Sequence, residues 1–199
     1  MKGPAPRAVI FDLDGTLAES TLDFDAIRAE IGLLPELPIL EQLVDASAPD
    51  RARAEEIMRR HERAAIAGAK LTDGCADLLG HLAALQIPTG ILTRNVREVV
   101  ESFVRAFGLH FHAVYTREDG PPKPSPAGVL ALCQSLGVPP AETLTVGDYK
   151  FDVLAGRRAG CRTALLRADP LAAAELAEWG DPDLIVGSLR DLLPLFPAP

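Results

Sequence analysis

Phe11-Asp12-Leu13-Asp14-Gly15-Thr16-Leu17 follows directly on Ala8-Val9-Ile10, and this junction decides the fold. The run Ala8-Val9-Ile10-Phe11 is wholly apolar and is bounded by Pro6 upstream and Gly15 downstream. Such a run reads as a strand buried on both faces of a parallel sheet. Two aspartates and a glycine follow at its carboxyl end. In open α/β sheets, ligands bind outside the carboxyl ends of the strands, so chemistry is expected here. Side chains alternate along a strand but not round a tight turn. Asp12 can therefore enter the crevice while Asp14, on the turn, reaches it from another angle. Two carboxylates this close repel unless a cation or a proton lies between them. Alone, the stretch is equally a strand end with a surface turn, because Asp and Gly are common turn residues.

The 199 residues are 48% hydrophobic and 24% charged, enough for one good core or a core with a small second domain. A formal net charge of -8 argues against general nucleic-acid binding, which needs a basic surface. Cys75, Cys133 and Cys161 are odd in number and widely spaced, with no Cys-x-x-Cys. A disulfide framework or zinc site is not expected, and a reducing cytoplasm fits best. Met1-Lys2-Gly3-Pro4 leads straight into the first strand without a signal peptide, and no apolar run is long enough to span a bilayer.

Residues 18–72 read as helical, with no strand run among them. One helix opens at Asp23 and stops at Gly32. A second spans Ile39 to Ala46. Ser47-Ala48-Pro49-Asp50 forms a turn and cap, and a long helix runs from Arg51 to Ala69. From Thr72 onward, helices alternate with short apolar strands at 87–93, 113–116, 143–146, 162–166 and 184–186. A closing helix covers 188–195. Alternation of this kind requires parallel strands and crossovers, hence a doubly wound sheet. The chain is thus read as a core of 1–17 and 73–199 with a helical insert, 18–72, expected above the carboxyl edge of the sheet as a cap.

Polar residues gather at the ends of the expected strands. They are Asp12 and Asp14, Thr93-Arg94-Asn95, Lys123 in a proline-rich loop, and Asp148 with Asp152. In a doubly wound sheet these ends share one edge. Such hard oxygen donors suit Mg²⁺, which favours one or two carboxylates together with waters and a phosphate. A carboxylate can act as a nucleophile and form an acyl phosphate, and a lysine can neutralise the developing charge. Phosphoryl transfer through an aspartyl-phosphate is the chemistry expected.

The motifs resemble those of the haloacid dehalogenase superfamily, in its phosphatase branch with a helical cap after the first strand, the phosphoglycolate-phosphatase-like group. Phe11–Leu17 agrees with the first family motif throughout. Lys123-Pro124-Ser125-Pro126, with Leu132, Leu136 and Gly137, resembles the third. Val146-Gly147-Asp148-Tyr149-Lys150-Phe151-Asp152, with Ala155-Gly156 and Ala159-Gly160, resembles the fourth. The resemblance implies a Rossmann-like sheet of strand order 3-2-1-4-5. It implies that Asp12 is the nucleophile and a Mg²⁺ ligand, and that Asp14 is the acid and then the base, with its carbonyl on the metal. Thr93 would bond the phosphoryl oxygens, helped by Asn95. Lys123 would pair with Asp12, Asp148 would complete the metal shell, and Asp152 would bond metal waters or position Lys123.

The second motif departs from many relatives by placing Arg94 between Thr93 and Asn95, where it adds a contact to the substrate or faces away. Glu19-Ser20 stands where many relatives have Asp-Ser. Lys150, inside the fourth motif, is a further candidate neighbour of the site. Arg28, Arg51, Arg53, Arg59, Arg60 and Arg63 of the insert read as a solvated, ion-paired face. The expected activity is Mg²⁺-dependent hydrolysis of a small phosphomonoester, possible for an anionic one such as 2-phosphoglycolate if insert arginines face the site. The expected partner is a small phosphorylated metabolite, with no nucleic acid or membrane, and the protein is a monomer or homodimer. The alternatives are a phosphomutase on the same scaffold and a non-catalytic binding protein that keeps the fold.

Overall fold

The four residues of strand β1, Ala8–Phe11, are each at most 1% exposed, which puts this strand in the middle of the sheet. The computed structural model describes residues 4–19, 21–35, 37–169 and 171–197; Ser20 lies outside them. After β1 the chain runs through β2 (Ala18–Glu19), α1 (Phe24–Ile31), α2 (Ile39–Gln42), α3 (Ala48–Ala67) and β3 (Lys70–Leu71). It continues through α4 (Cys75–Ala84), β4 (Thr89–Leu92), α5 (Arg97–Phe107), β5 (Ala113–Tyr115) and α6 (Ala127–Leu136). It closes with β6 (Thr143–Gly147), α7 (Lys150–Ala159), β7 (Arg162–Leu166), α8 (Ala173–Glu178) and β8 (Leu184–Val186).

The fold is α/β. Its main sheet is parallel, in the order β5-β4-β1-β6-β7-β8, so the sixth strand lies one place beyond the expected five-strand order. Phe11 stands opposite Ile91 on one side and Val146 on the other. This common register brings the residues just past all three strands to the same edge. A core of Ile10, Leu92, Tyr115, Val129 and Leu132 packs α6 beside the sheet, with Cys133 and Cys161 among its small members. All three cysteines are free thiols and buried.

The chain divides into two compact units, residues 1–19 with 70–199, and residues 20–69. The divisions fall two to three residues inside the expected limits of 17/18 and 72/73. The reason is a two-stranded antiparallel ribbon in the first unit, where Ala18 pairs with Leu71 and Glu19 with Lys70. Residues 18–72 therefore do contain strand, contrary to expectation. Two residues on each side are too short for an alternation pattern to register, and the pairing partner lies some fifty positions away.

Within the second unit, Ile27, Ile39, Leu43, Ala54 and Met58 form a separate apolar core. The helix at Ile39 ends at Gln42 rather than Ala46. Leu43 N–H turns back to the Leu40 carbonyl, and the Arg51 guanidinium donates to the Val44 carbonyl at 2.7 Å. The long helix begins at Ala48, three residues earlier than expected. Ser47 Oγ accepts from Asp50 N–H at 3.3 Å, and Pro49 fits the first turn, where no N–H is needed. Arg60 and His61 both pair with Glu30 of α1, and Arg28 with Asp25 at 2.6 Å, so these cations serve the unit's own charges. The closing segment Leu189–Leu195 is a 3-10 helix with Pro194 inside it rather than an α-helix. No helix among the described residues is long and apolar enough to cross a membrane.

Candidate active site

Asp12 is fixed by its own backbone, which donates to the Val146 carbonyl at 2.9 Å as the first residue past β1. The chain then turns sharply. The Leu13 carbonyl accepts from Leu17 N–H and Ala18 N–H, each at 2.9 Å, and Gly15 N–H reaches the Ala18 carbonyl at 2.8 Å. Gly15 has φ +74°, and a Cβ there would run into the Asp148 carboxylate. The glycine is thus required both by the backbone conformation and by the closeness of the acid. Thr16, on the same turn, donates its hydroxyl to Asp148 Oδ1 at 3.2 Å.

Asp148 follows β6, and Asp152 sits in the first turn of α7. Asp152 Oδ2 accepts from Tyr149 N–H at 3.1 Å, which caps the helix and fixes the carboxylate. Gly147 leaves room for it, since a Cβ at that position would strike the Asp152 side chain. Asp12, Asp148 and Asp152 each present a carboxylate oxygen within 4.8 Å of the others.

Lys123 lies in the loop after β5, joined to Pro124 by a cis peptide bond, and is 3% exposed. Its Nζ lies 2.6 Å from Asp12 Oδ1 and 2.5 Å from Asp152 Oδ1. Burial pulls against the charged amine, but the two carboxylates prevail and push its pKa up to about 12. Asp12 is raised well above the ordinary carboxylate range, by burial first and then by Asp152 and Asp148, against the opposing pull of Lys123. Asp148 is raised to about 6, again by burial first and then by Asp152. Three carboxylates thus face one ammonium in a water-poor niche. The residual negative charge and the oxygen-only donor set fit a hard divalent cation such as Mg²⁺.

Thr93 and Asn95 are both buried past β4. Thr93 N–H donates to the Tyr115 carbonyl at 3.0 Å, and Thr93 Oγ1 accepts from Asn95 N–H at 3.1 Å. The Asn95 side-chain amide donates to Asp14 Oδ2. Asp14 stays outside the three-carboxylate cluster and is held instead by the loop after β4. The Arg94 guanidinium donates to the Lys123 backbone carbonyl at 3.0 Å and lies 4.7 Å from the centre of the Phe151 ring. Lys150 turns away, to Glu178 at 3.7 Å and to the Tyr149 ring.

All eight site residues expected from the sequence fall on one edge of the first unit. Sequence reasoning missed Thr16, although it lies in the first motif, because its partner Asp148 is 132 positions away. It also missed Phe151, which reads as a helix-start apolar residue until Arg94 is seen over its ring.

The description haloacid dehalogenase-like hydrolase belongs to the family profile that matches residues 6–160. A haloacid dehalogenase-like hydrolase domain-containing protein of Arabidopsis thaliana is 33% identical over 196 residues, covering 92% of this chain and 77% of that protein. A phosphoglycolate phosphatase of Chromobacterium violaceum is 31% identical over 216 residues, covering 95% of this chain and 96% of the other. Among solved structures, a hydrolase from Pseudomonas syringae has a TM-score of 0.77 at 23% identity, with 94% and 96% of the two chains covered. That last likeness is one of fold.

Proposed function

The chain belongs to the haloacid dehalogenase-like hydrolase family, and from that premise we propose that it is a phosphatase of small phosphomonoesters working through an aspartyl-phosphate on Asp12. The observation that carries this reading is Lys123 Nζ held 2.6 Å from Asp12 Oδ1 within a cluster of three carboxylates. A carboxylate so placed is poorly solvated, and the ammonium beside it favours its ionised form against the burial that opposes it, which suits a nucleophile.

Asp12 attacks the phosphorus in line, and the bond from phosphorus to the ester oxygen breaks. Asp14, steadied by the Asn95 amide, gives its proton to the departing oxygen. The same carboxylate then takes a proton from water, whose oxygen attacks phosphorus and releases Asp12. Lys123 offsets the negative charge that gathers on the transferring group. Thr93 is proposed to bond the phosphoryl oxygens. Asp12, Asp148 and Asp152, with the Asp14 carbonyl, would hold Mg²⁺, which supplies charge neutralisation and orientation of the phosphate when bound. The second unit, residues 20–69, is proposed as the cap that governs which esters are accepted.

The phosphoglycolate phosphatase among the relatives supports a small anionic ester as substrate. The test is phosphate release from a panel of small phosphomonoesters, with Mg²⁺ and with chelator, for the wild type and Asp12→Asn. Metal-dependent release is expected. It should fall by about four orders of magnitude or more in the variant, on the scale seen when a nucleophile is removed. The variant should melt no lower than the wild type, because a repelling carboxylate has gone while Lys123 keeps Asp152. Turnover retained by Asp12→Asn would overturn the nucleophile assignment.

A further inference from the structure

One side chain spans three of the loops that build the site. Arg94 sits past β4, its guanidinium bonds the carbonyl of Lys123 past β5 at 3.0 Å, and its Cζ lies over the Phe151 ring, 4.7 Å from its centre, at the start of α7, past β6. Arg94 is itself held, since the Arg117 guanidinium donates to the Arg94 carbonyl at 2.8 Å. The neighbouring carbonyl of the lysine loop is taken in the same way, Arg158 donating to Pro124 at 2.9 Å. Phe151 is backed in turn by Tyr149, whose ring is 5.1 Å away edge-on, and Tyr149 by Trp179 at 5.3 Å.

A guanidinium suits this place for two physical reasons. Its planar fork can donate to a carbonyl while its face stacks on an aromatic ring. It also keeps its charge at any working pH, so the strut does not loosen as the site titrates. A lysine ammonium could donate to the carbonyl but has no planar face to lay over the ring. Lys123 needs such support, because its loop carries no regular secondary structure between β5 and α6. Its Nζ must nevertheless be held within hydrogen-bond distance of two carboxylates at once.

We propose that Arg94 is a positioning residue for the reaction rather than a substrate ligand: stacked on Phe151, it fixes the backbone of Lys123 so that the amine stands between Asp12 and Asp152. This rests on the phosphatase reading given above. It differs from the expectation raised by the second motif, in which Arg94 either touches substrate or faces away.

The test compares wild type, Arg94→Gln, Phe151→Leu and the double variant. If Arg94 positions Lys123, Arg94→Gln lowers kcat by about tenfold to a hundredfold, as small displacements of a catalytic group do. The factor is the same for every ester in the panel, whatever its size or charge, and KM moves little. Phe151→Leu gives a smaller loss of the same uniform kind, and the double variant is no worse than Arg94→Gln alone, as expected when two side chains act as one strut.

A second readout does not depend on activity. The chain has four lysines, Lys2, Lys70, Lys123 and Lys150. Acetylation by a small anhydride, read by mass spectrometry, should label Lys123 several-fold faster in Arg94→Gln than in wild type, with Lys70 unchanged. A loss that varies with the ester's charge would overturn the proposal and make Arg94 a substrate ligand. Additive losses in the double variant, or unchanged Lys123 labelling, would overturn it as well. Should Arg94→Gln fail to fold, Phe151→Leu carries both readouts. If the wild type releases no phosphate from any ester, the phosphatase reading fails, and the labelling still decides whether Arg94 fixes Lys123.

Discussion

At the scale of single residues, the site is governed by an excess of negative charge. Burial and neighbouring carboxylates raise Asp148 to about 6 and Asp12 well above its ordinary range, against the opposing pull of Lys123 and, at Asp148, of the Thr16 hydroxyl. A carboxyl whose folded pKa is raised favours the fold in its protonated form. That contribution is complete below the ordinary value of 3.8 and is lost as the pH rises through about 6. The metal-free protein should therefore lose stability across this window. A bound divalent cation, which needs the ionised form, should restore it. The difference in melting temperature between Mg²⁺ and chelator is expected to widen from about pH 5 to about pH 7 and to shrink sharply in Asp148→Asn. A gap that stays constant with pH would show that Asp148 does not hold the metal. The aspartates and Lys123 were legible as a set because each lies at the end of an expected strand or in the segment that follows one. Their pairing came only from the family resemblance, since Lys123 reaches Asp152 across 29 positions and no spacing or periodicity tells which carboxylate it faces.

At the scale of elements, close packing holds the strand ends in register. Gly128 in α6 shows this. A Cβ there would lie 2.5 Å from Leu92 Cδ1 and 2.8 Å from Tyr115 Cδ1, so the helix approaches β4 and β5 as closely as a glycine permits. Gly128→Val should destabilise the protein by about 1–3 kcal/mol, the usual range for overpacking a filled core. Chemical denaturation would measure it, and a loss within experimental error would mean that α6 moves aside freely. Elements with long apolar periodicity and clear stops were legible, such as α5 ending at Gly108 and α6 ending at Gly137. Others were missed or misplaced, among them α3, which begins at Ala48 rather than Arg51. The ribbon of β2 and β3 is too short for a pattern, α2 ends where Arg51 takes a carbonyl, and the last helix narrows to 3-10 around Pro194.

At the scale of the whole molecule, two compact units share one chain, and the ribbon Ala18–Glu19 with Lys70–Leu71 brings the two crossing points together. The first unit has its own core around Ile10, Val129 and Leu132, and the second its own around Ile27 and Met58. Replacing residues 20–69 by an Asn-Gly turn should therefore leave a first unit that melts cooperatively and keeps its Mg²⁺ response, while its selection among esters is lost. A product without a cooperative transition would show that the first unit depends on the second. The sequence by itself determined the parallel α/β core, the helical character of the insert and the chemical inventory of the site. These follow from local patterns of apolar runs, glycines and carboxylates that need no partner to be read. Only the tertiary structure decided that Asn95 faces Asp14, that Thr16 reaches Asp148, and that Arg94 bonds the backbone of Lys123. Those contacts join loops after different strands, and their geometry exists only once the sheet has aligned the strand ends at one edge.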